Sequence, residues 1–125
     1  MRNKDIWRYF ELCAKAAKIK DRPDEREYVL GALGIRADGT IVISRNESIR
    51  YDPMQRRVHG GHAEYRLVSK LDRNSTVFVA RLGRSGLYRM SRPCDLCLPL
   101  LRNSGKVKRV YYTMSPDSFG CIEMK

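Results

Sequence analysis

Two short stretches contain the residue types from which a metal-assisted hydrolytic site is built. One is His62-Ala63-Glu64; the other is Pro93-Cys94-Asp95-Leu96-Cys97. A C-x-x-C alone has three readings: a redox pair, half of a structural zinc site, or chance. The redox reading expects the motif early in a βαβ pattern, and here it stands late in the chain. A structural zinc takes four protein ligands. The chain's histidines are His59 and His62, and its other cysteines, Cys13 and Cys121, are remote in sequence without ligand-type spacing. His62, Cys94 and Cys97 therefore make three good ligands and leave the fourth position open, as a catalytic zinc keeps it for water. Glu64, two residues past His62, is placed to reach that water and move its proton. The plain alternative is a first-turn glutamate that only complements a helix dipole.

These residues need elements to hold them. Residues 4 to 20 read as a helix with Ile6, Phe10, Cys13 and Ala17 on one face and Lys4, Arg8, Glu11, Lys15 and Lys18 on another. "DRPDERE" breaks it. Residues 27 to 36 read as a strand, "ADGT" as a tight turn and "IVISR" as the hairpin partner. Gly31 and Gly34 weaken the first strand or mark a bulge. Residues 46 to 60 read as a long polar loop, and 62 to 72 as a helix with Leu67, Val68 and Leu71 inward. "TVFVARL" reads as a central strand and "GRSG" as a turn. Residues 94 to 104 read as a short Leu-rich helix that Pro99 kinks or stops early. "KVKRVYYTM" and "FGCIEM" read as two last strands, too close in sequence to pair other than antiparallel. The order predicts an α/β domain of three layers with a mixed sheet.

That order suits the chemistry. Cys94 and Cys97 stand i and i+3 at a helix start, so their sulfurs can point the same way. The positive helix end favours thiolate over thiol. Pro93 has a preset φ and lacks an N–H that a helix start would leave unpaired. His62 opens its own helix, so two helix N-termini can converge across one edge of the sheet.

Bulk properties bound the rest. A chain of 125 residues is one domain of ordinary size, and 42% hydrophobic with 31% charged residues reads as globular. No apolar run approaches the ~20 residues of a membrane span. Charges interrupt the apolar positions of "MRNKDIWRYFELC", so no signal peptide is expected. No membrane partner and a cytoplasmic location are the resulting expectations. There the four cysteines need not pair, and Cys13, on the apolar helix face, reads as a buried free thiol. A formal charge of +11 favours an anionic partner, with plain solubility as the alternative.

H-x-E followed by P-C-x-x-C is the signature of zinc deaminases acting on nucleobases. With it intact here, the sequence resembles the cytidine deaminase-like superfamily of cytidine, deoxycytidylate, tRNA adenosine and polynucleotide cytidine deaminases. The resemblance covers residues 27 to 113 and is most specific at the two motifs. It implies a five-stranded mixed sheet flanked by helices, zinc held by His62, Cys94 and Cys97, and proton transfer by Glu64. It also implies substrate contacts by Asn46, after the second strand, and by the backbone N–H of Ala63. Short members of the superfamily often complete their pockets across subunits, which puts a homo-oligomer among the expected partners. "HAEYRLVSKL" lacks the asparagine that commonly follows H-A-E in deoxycytidylate deaminases. Free cytidine deaminases usually carry cysteine where His62 stands. The subfamily is therefore open.

Basic residues gather near both motifs. Arg81, Arg84, Arg89 and Arg92 lead into the cysteines, and Arg50, Arg56 and Arg57 precede His62. Guanidinium forks suit phosphate. Tyr51 and Tyr88 are candidate base-stacking platforms, with ordinary packing as the alternative. His59 reads as a loop residue rather than a ligand. Two substrates fit: a free pyrimidine nucleotide, for which Arg57, Tyr88 and Arg92 would join Asn46 and Ala63, or single-stranded DNA or RNA along a longer basic track. The compact chain favours the first and the charge favours the second. A non-catalytic zinc-bearing binding module is the reading from another class, and it has no use for Glu64.

Overall fold

A computed structural model of the chain describes residues 2–18, 28–45, 50–52, 57–59, 67–83, 87–93 and 97–124. Helix α1 (Asn3–Lys18) forms where the 3.6-residue periodicity predicts it. Ile6, Phe10 and Cys13 are buried, while Lys4, Arg8, Glu11 and Lys15 are exposed. The free Cys13 thiol donates to the carbonyl of Phe78 at 3.4 Å, and burial pushes its pKa well up. That thiol is inert and belongs to the core.

Strands β1 (Tyr28–Ile35) and β2 (Ile41–Arg45) form the expected hairpin. Its turn holds Gly39 at a φ of 90°, where glycine is favoured. The Thr40 N–H donates to the Asp38 carboxylate at 2.9 Å and holds that carboxyl below its usual range. Two short strands follow, β3 (Arg50–Asp52) and β4 (Arg57–His59), paired antiparallel. The sequence reading took this region as one polar loop. Three-residue strands carry too few positions to show alternation, and the register instead sets Tyr51 opposite Val58.

Strand β5 (Ser75–Gly83) is central, antiparallel to β1 and parallel to β7 (Val107–Ser115). Strand β8 (Ser118–Glu123) returns antiparallel to β7, as expected. The sheet order is β2-β1-β5-β7-β8, with β6 (Tyr88–Arg89) paired to β5 off that path. The sheet is thus mixed and open, with six strands rather than the five expected. The extra strand is two residues long, too short to leave a pattern in the sequence.

Burial on both faces explains the unbroken apolar run of β5. Val77 and Val79 join Ala32, Leu67, Leu71, Leu101, Val107 and Val110 in one cluster. Phe78 and Ala80 join Ile6, Phe10, Cys13, Leu33 and Tyr111 in the other. Helix α1 covers the second face. Leu101 reaches the first from helix α2 (Cys97–Asn103), which continues through Pro99 to Asn103 instead of stopping. Pro99 is the third described residue of that helix, and it is exposed. Among the described residues no helix is long and apolar enough to cross a membrane.

The glycines of β1 do not mark a bulge. Gly31 and Gly34 pair in unbroken register with both neighbouring strands. At Gly34 the reason for glycine is space, since a Cβ there would collide with Leu71 Cδ2 and crowd Val42. Leu71 is itself packed at 4% exposure and has little room to yield. We predict that Gly34→Ala costs about 1–3 kcal/mol from overpacking. Urea denaturation of the two proteins, compared at equal m-value, measures it.

Candidate functional site

The parallel pair β5 and β7 brings both carboxyl ends to one edge of the sheet. Strand β1 starts there, because Tyr28 pairs with Gly83, and β2 ends there, because Arg45 pairs with Gly31. In open α/β sheets this is the edge at which ligands bind. Asn46 follows β2 directly but lies outside the described residues, as do His62, Ala63, Glu64 and Cys94. For Arg57, in β4, and Cys97, the first described residue of α2, the description is of backbone position.

Past this point the two central strands part. Direct pairing of β5 with β7 stops at Val79–Tyr112, although β5 continues to Gly83 and β7 to Ser115. Strand β6 takes up β5 on that side, with Arg81 opposite Arg89 and Leu82 opposite Tyr88. Ser91 then spans the gap. Its N–H donates to the Thr113 carbonyl at 2.8 Å. Its hydroxyl donates to the Val79 carbonyl at 2.7 Å and accepts the Thr113 N–H at 2.8 Å. The Thr113 hydroxyl donates to the Arg89 carbonyl at 2.7 Å and accepts the Arg81 N–H at 3.4 Å. The two hydroxyl oxygens lie 2.9 Å apart, and both residues are buried.

This network ties down the chain immediately before the cysteine motif. Arg92 is exposed, while Pro93 is buried. Helix α2 then carries the chain from Cys97 back to the opposite edge, where the Ser75 N–H meets the Lys106 carbonyl at 2.9 Å. Ser91, three residues before Cys94, is therefore held where β5 and β7 diverge, toward their carboxyl ends. One imidazole and two thiols form a donor set that suits zinc. Among the described residues no three His, Cys, Asp or Glu side chains gather around a common point.

Neighbouring candidates separate. Arg89 and Arg92 are exposed near the motif, and Arg81 is partly buried. Leu87 and Met90 alternate with them and are 55% and 46% exposed. The Tyr88 ring turns to the α1 face, 5.6 Å from the Trp7 ring and 6.5 Å from that of Phe10. Burial, with Glu11 adding repulsion, raises its phenol above the ordinary value. Packing thus accounts for this ring's position. Arg50, Tyr51 and His59 fall in the β3–β4 ribbon.

Sequence reasoning passed over three hydroxyls. Ser91 stands two residues before Pro93, a position that could have drawn notice. Thr113, inside an apolar strand, gives no such cue. Ser44, two residues before Asn46, is buried on the Ala32 face, and its hydroxyl has no hydrogen-bond partner among the described residues. No protein-family model and no curated protein matches the chain.

The different settings of Tyr88 and Arg92 predict different costs. Tyr88→Ala should lower stability by about 1–3 kcal/mol through lost aromatic packing, and Arg92→Ala by no more than about 0.5 kcal/mol. Paired denaturation curves test both.

Proposed function

We propose that the chain is a zinc-dependent hydrolytic deaminase acting on the cytosine base of a nucleotide or nucleoside, with the three-layer α-β-α cytidine deaminase-like fold. The observation that carries this reading is the intact pair of motifs, His62-Ala63-Glu64 and Pro93-Cys94-x-x-Cys97. Support comes from the segment that leads into the second motif, which Ser91 holds between β5 and β7 ahead of helix α2. The mixed sheet, with α1 on one face and α2 on the other, suits the same fold.

In this reading His62, Cys94 and Cys97 hold the zinc. The bound ion would supply a water of lowered pKa and a nearby positive charge. Glu64 accepts the proton that this water loses as it attacks C4 of the base. Glu64 passes that proton to ring N3, then takes the second proton from the new C4 hydroxyl and delivers it to the exocyclic amine. A C4–O bond forms, the C4–N4 bond breaks and ammonia leaves, with a uracil base remaining on the sugar. Asn46 and the Ala63 N–H orient sugar and base. Arg57 and Arg92 bind phosphate, while the Tyr88 ring packs on α1 instead of on the base.

A second reading, deamination within single-stranded DNA or RNA, is favoured by one feature. Exposed Leu87, Arg89, Met90 and Arg92 form a mixed apolar and basic rim leading to the cysteines. Such a rim suits a chain of bases and phosphates.

Two measurements separate these readings and the non-catalytic alternative. Glu64→Gln should keep its zinc and lose ammonia release by a factor of at least about 100. Equal turnover by the variant rejects the role of Glu64, and a wild type that releases no ammonia from any substrate favours the binding module. The zinc-loaded protein is also offered nucleosides, nucleotides, single-stranded DNA and tRNA. Fast turnover of cytidylate or deoxycytidylate, with affinity little changed by salt, is expected. Turnover confined to polynucleotide, with affinity falling steeply as salt rises, moves the assignment to the second reading.

A further inference from the structure

We infer that Ser91 and Thr113 are positioning residues for the metal-binding thiols, acting through the backbone that leads into Cys94. The inference rests on the zinc reading of the motif and adds residues that the motif does not contain.

The geometry carries it. Between Val79 and Cys94 the chain leaves β5, turns, pairs briefly as β6 and must arrive at a metal ligand. Among the described residues, Ser91 is the nearest before that ligand with hydrogen bonds to β5 and β7. Its backbone N–H is bound to Thr113, and its hydroxyl bridges Val79 of β5 and Thr113 of β7. Thr113 in turn holds the Arg89 carbonyl, so the same hydroxyl pair grips the segment on both sides of Met90. Between Ser91 and Cys94 only Arg92 and Pro93 intervene. Pro93 has one backbone torsion fixed by its ring and is buried. Little freedom remains to absorb a shift of Ser91. A metal tolerates displacement of its ligands by only about 0.2 Å. A plug that merely filled the gap between strands would not need to be this close to a ligand, nor to hold the segment at two carbonyls.

The two residues are suited to the task. A serine hydroxyl can donate to one strand and accept from the other, which no apolar side chain can do. Both oxygens are withdrawn from solvent, so water does not compete for these bonds.

The test compares zinc affinity, by competition with a chelator of known strength, in the full-length wild type, Ser91→Ala, Thr113→Val, Ser91→Thr and Thr113→Ser. The metal-free melting temperature of each is measured alongside. Ser91→Ala and Thr113→Val should weaken zinc by at least about tenfold, the loss typical of residues that orient metal ligands. Thr113→Ser and Ser91→Thr, which keep a hydroxyl, should retain affinity close to wild type. If Ser91→Ala fails to fold, Thr113→Val decides, since it preserves shape and removes one hydroxyl. A fall in metal-free melting temperature with zinc affinity unchanged would show a structural plug and overturn the inference alone. A wild type that takes up no zinc overturns the zinc reading, and this inference with it.

Discussion

Where two parallel strands separate inside a sheet, their facing N–H and C=O groups lose each other and must be satisfied in another way. This happens past Val79 and Tyr112, and much of the molecule is arranged around it. Strand β6 pairs with one freed edge, and Ser91 and Thr113 satisfy the carbonyl of Val79 and the N–H of Thr113 between them. The solution has a positional result. Ser91, two residues before Pro93, is thereby fixed where β5 and β7 diverge.

The same segment is gripped from the other face. Tyr88 of β6 packs on Trp7 and Phe10 of α1, and Phe119 of β8 meets Trp7 at 5.8 Å. The stacked pair of Phe78 and Tyr111, 5.1 Å apart, extends this aromatic layer across β5 and β7. Helix α1 thus stands behind the segment that precedes the cysteines while contributing no residue to the proposed chemistry. Polar bridging on one side and aromatic packing on the other leave Leu87, Arg89, Met90 and Arg92 as the outward surface. Under the proposed function, that surface would discriminate between a single nucleotide and a longer strand.

Much of the fold was legible from residue order because its causes are local. The 3.6-residue spacing of Ile6, Phe10 and Cys13 specifies α1, and Asp38-Gly39 specifies the hairpin turn. The apolar run from Thr76 to Leu82 marks a strand covered on both faces. The four residues between "KVKRVYYTM" and "FGCIEM", 115 to 118, require an antiparallel return. The candidate site was legible as residue types for a related reason. Metal ligation and proton transfer demand particular side chains at short spacing, and His62, Glu64, Cys94 and Cys97 satisfy both demands in the text of the chain.

What remained hidden depends on residues far apart in sequence. Nothing near Thr113 announces that its N–H will meet Ser91, 22 positions earlier, because that contact exists only where β5 and β7 diverge. Tyr88 reads as packing ahead of a platform, and α1 against it decides for packing. Gly34 looks like a weak point until Leu71 closes over it. The amino-acid order by itself determined α1, α2, the principal strands and the chemical vocabulary of the candidate site. Tertiary structure decided which strands part, what bridges them and which side chains turn inward, since those outcomes follow from packing between elements and not from any one element's pattern.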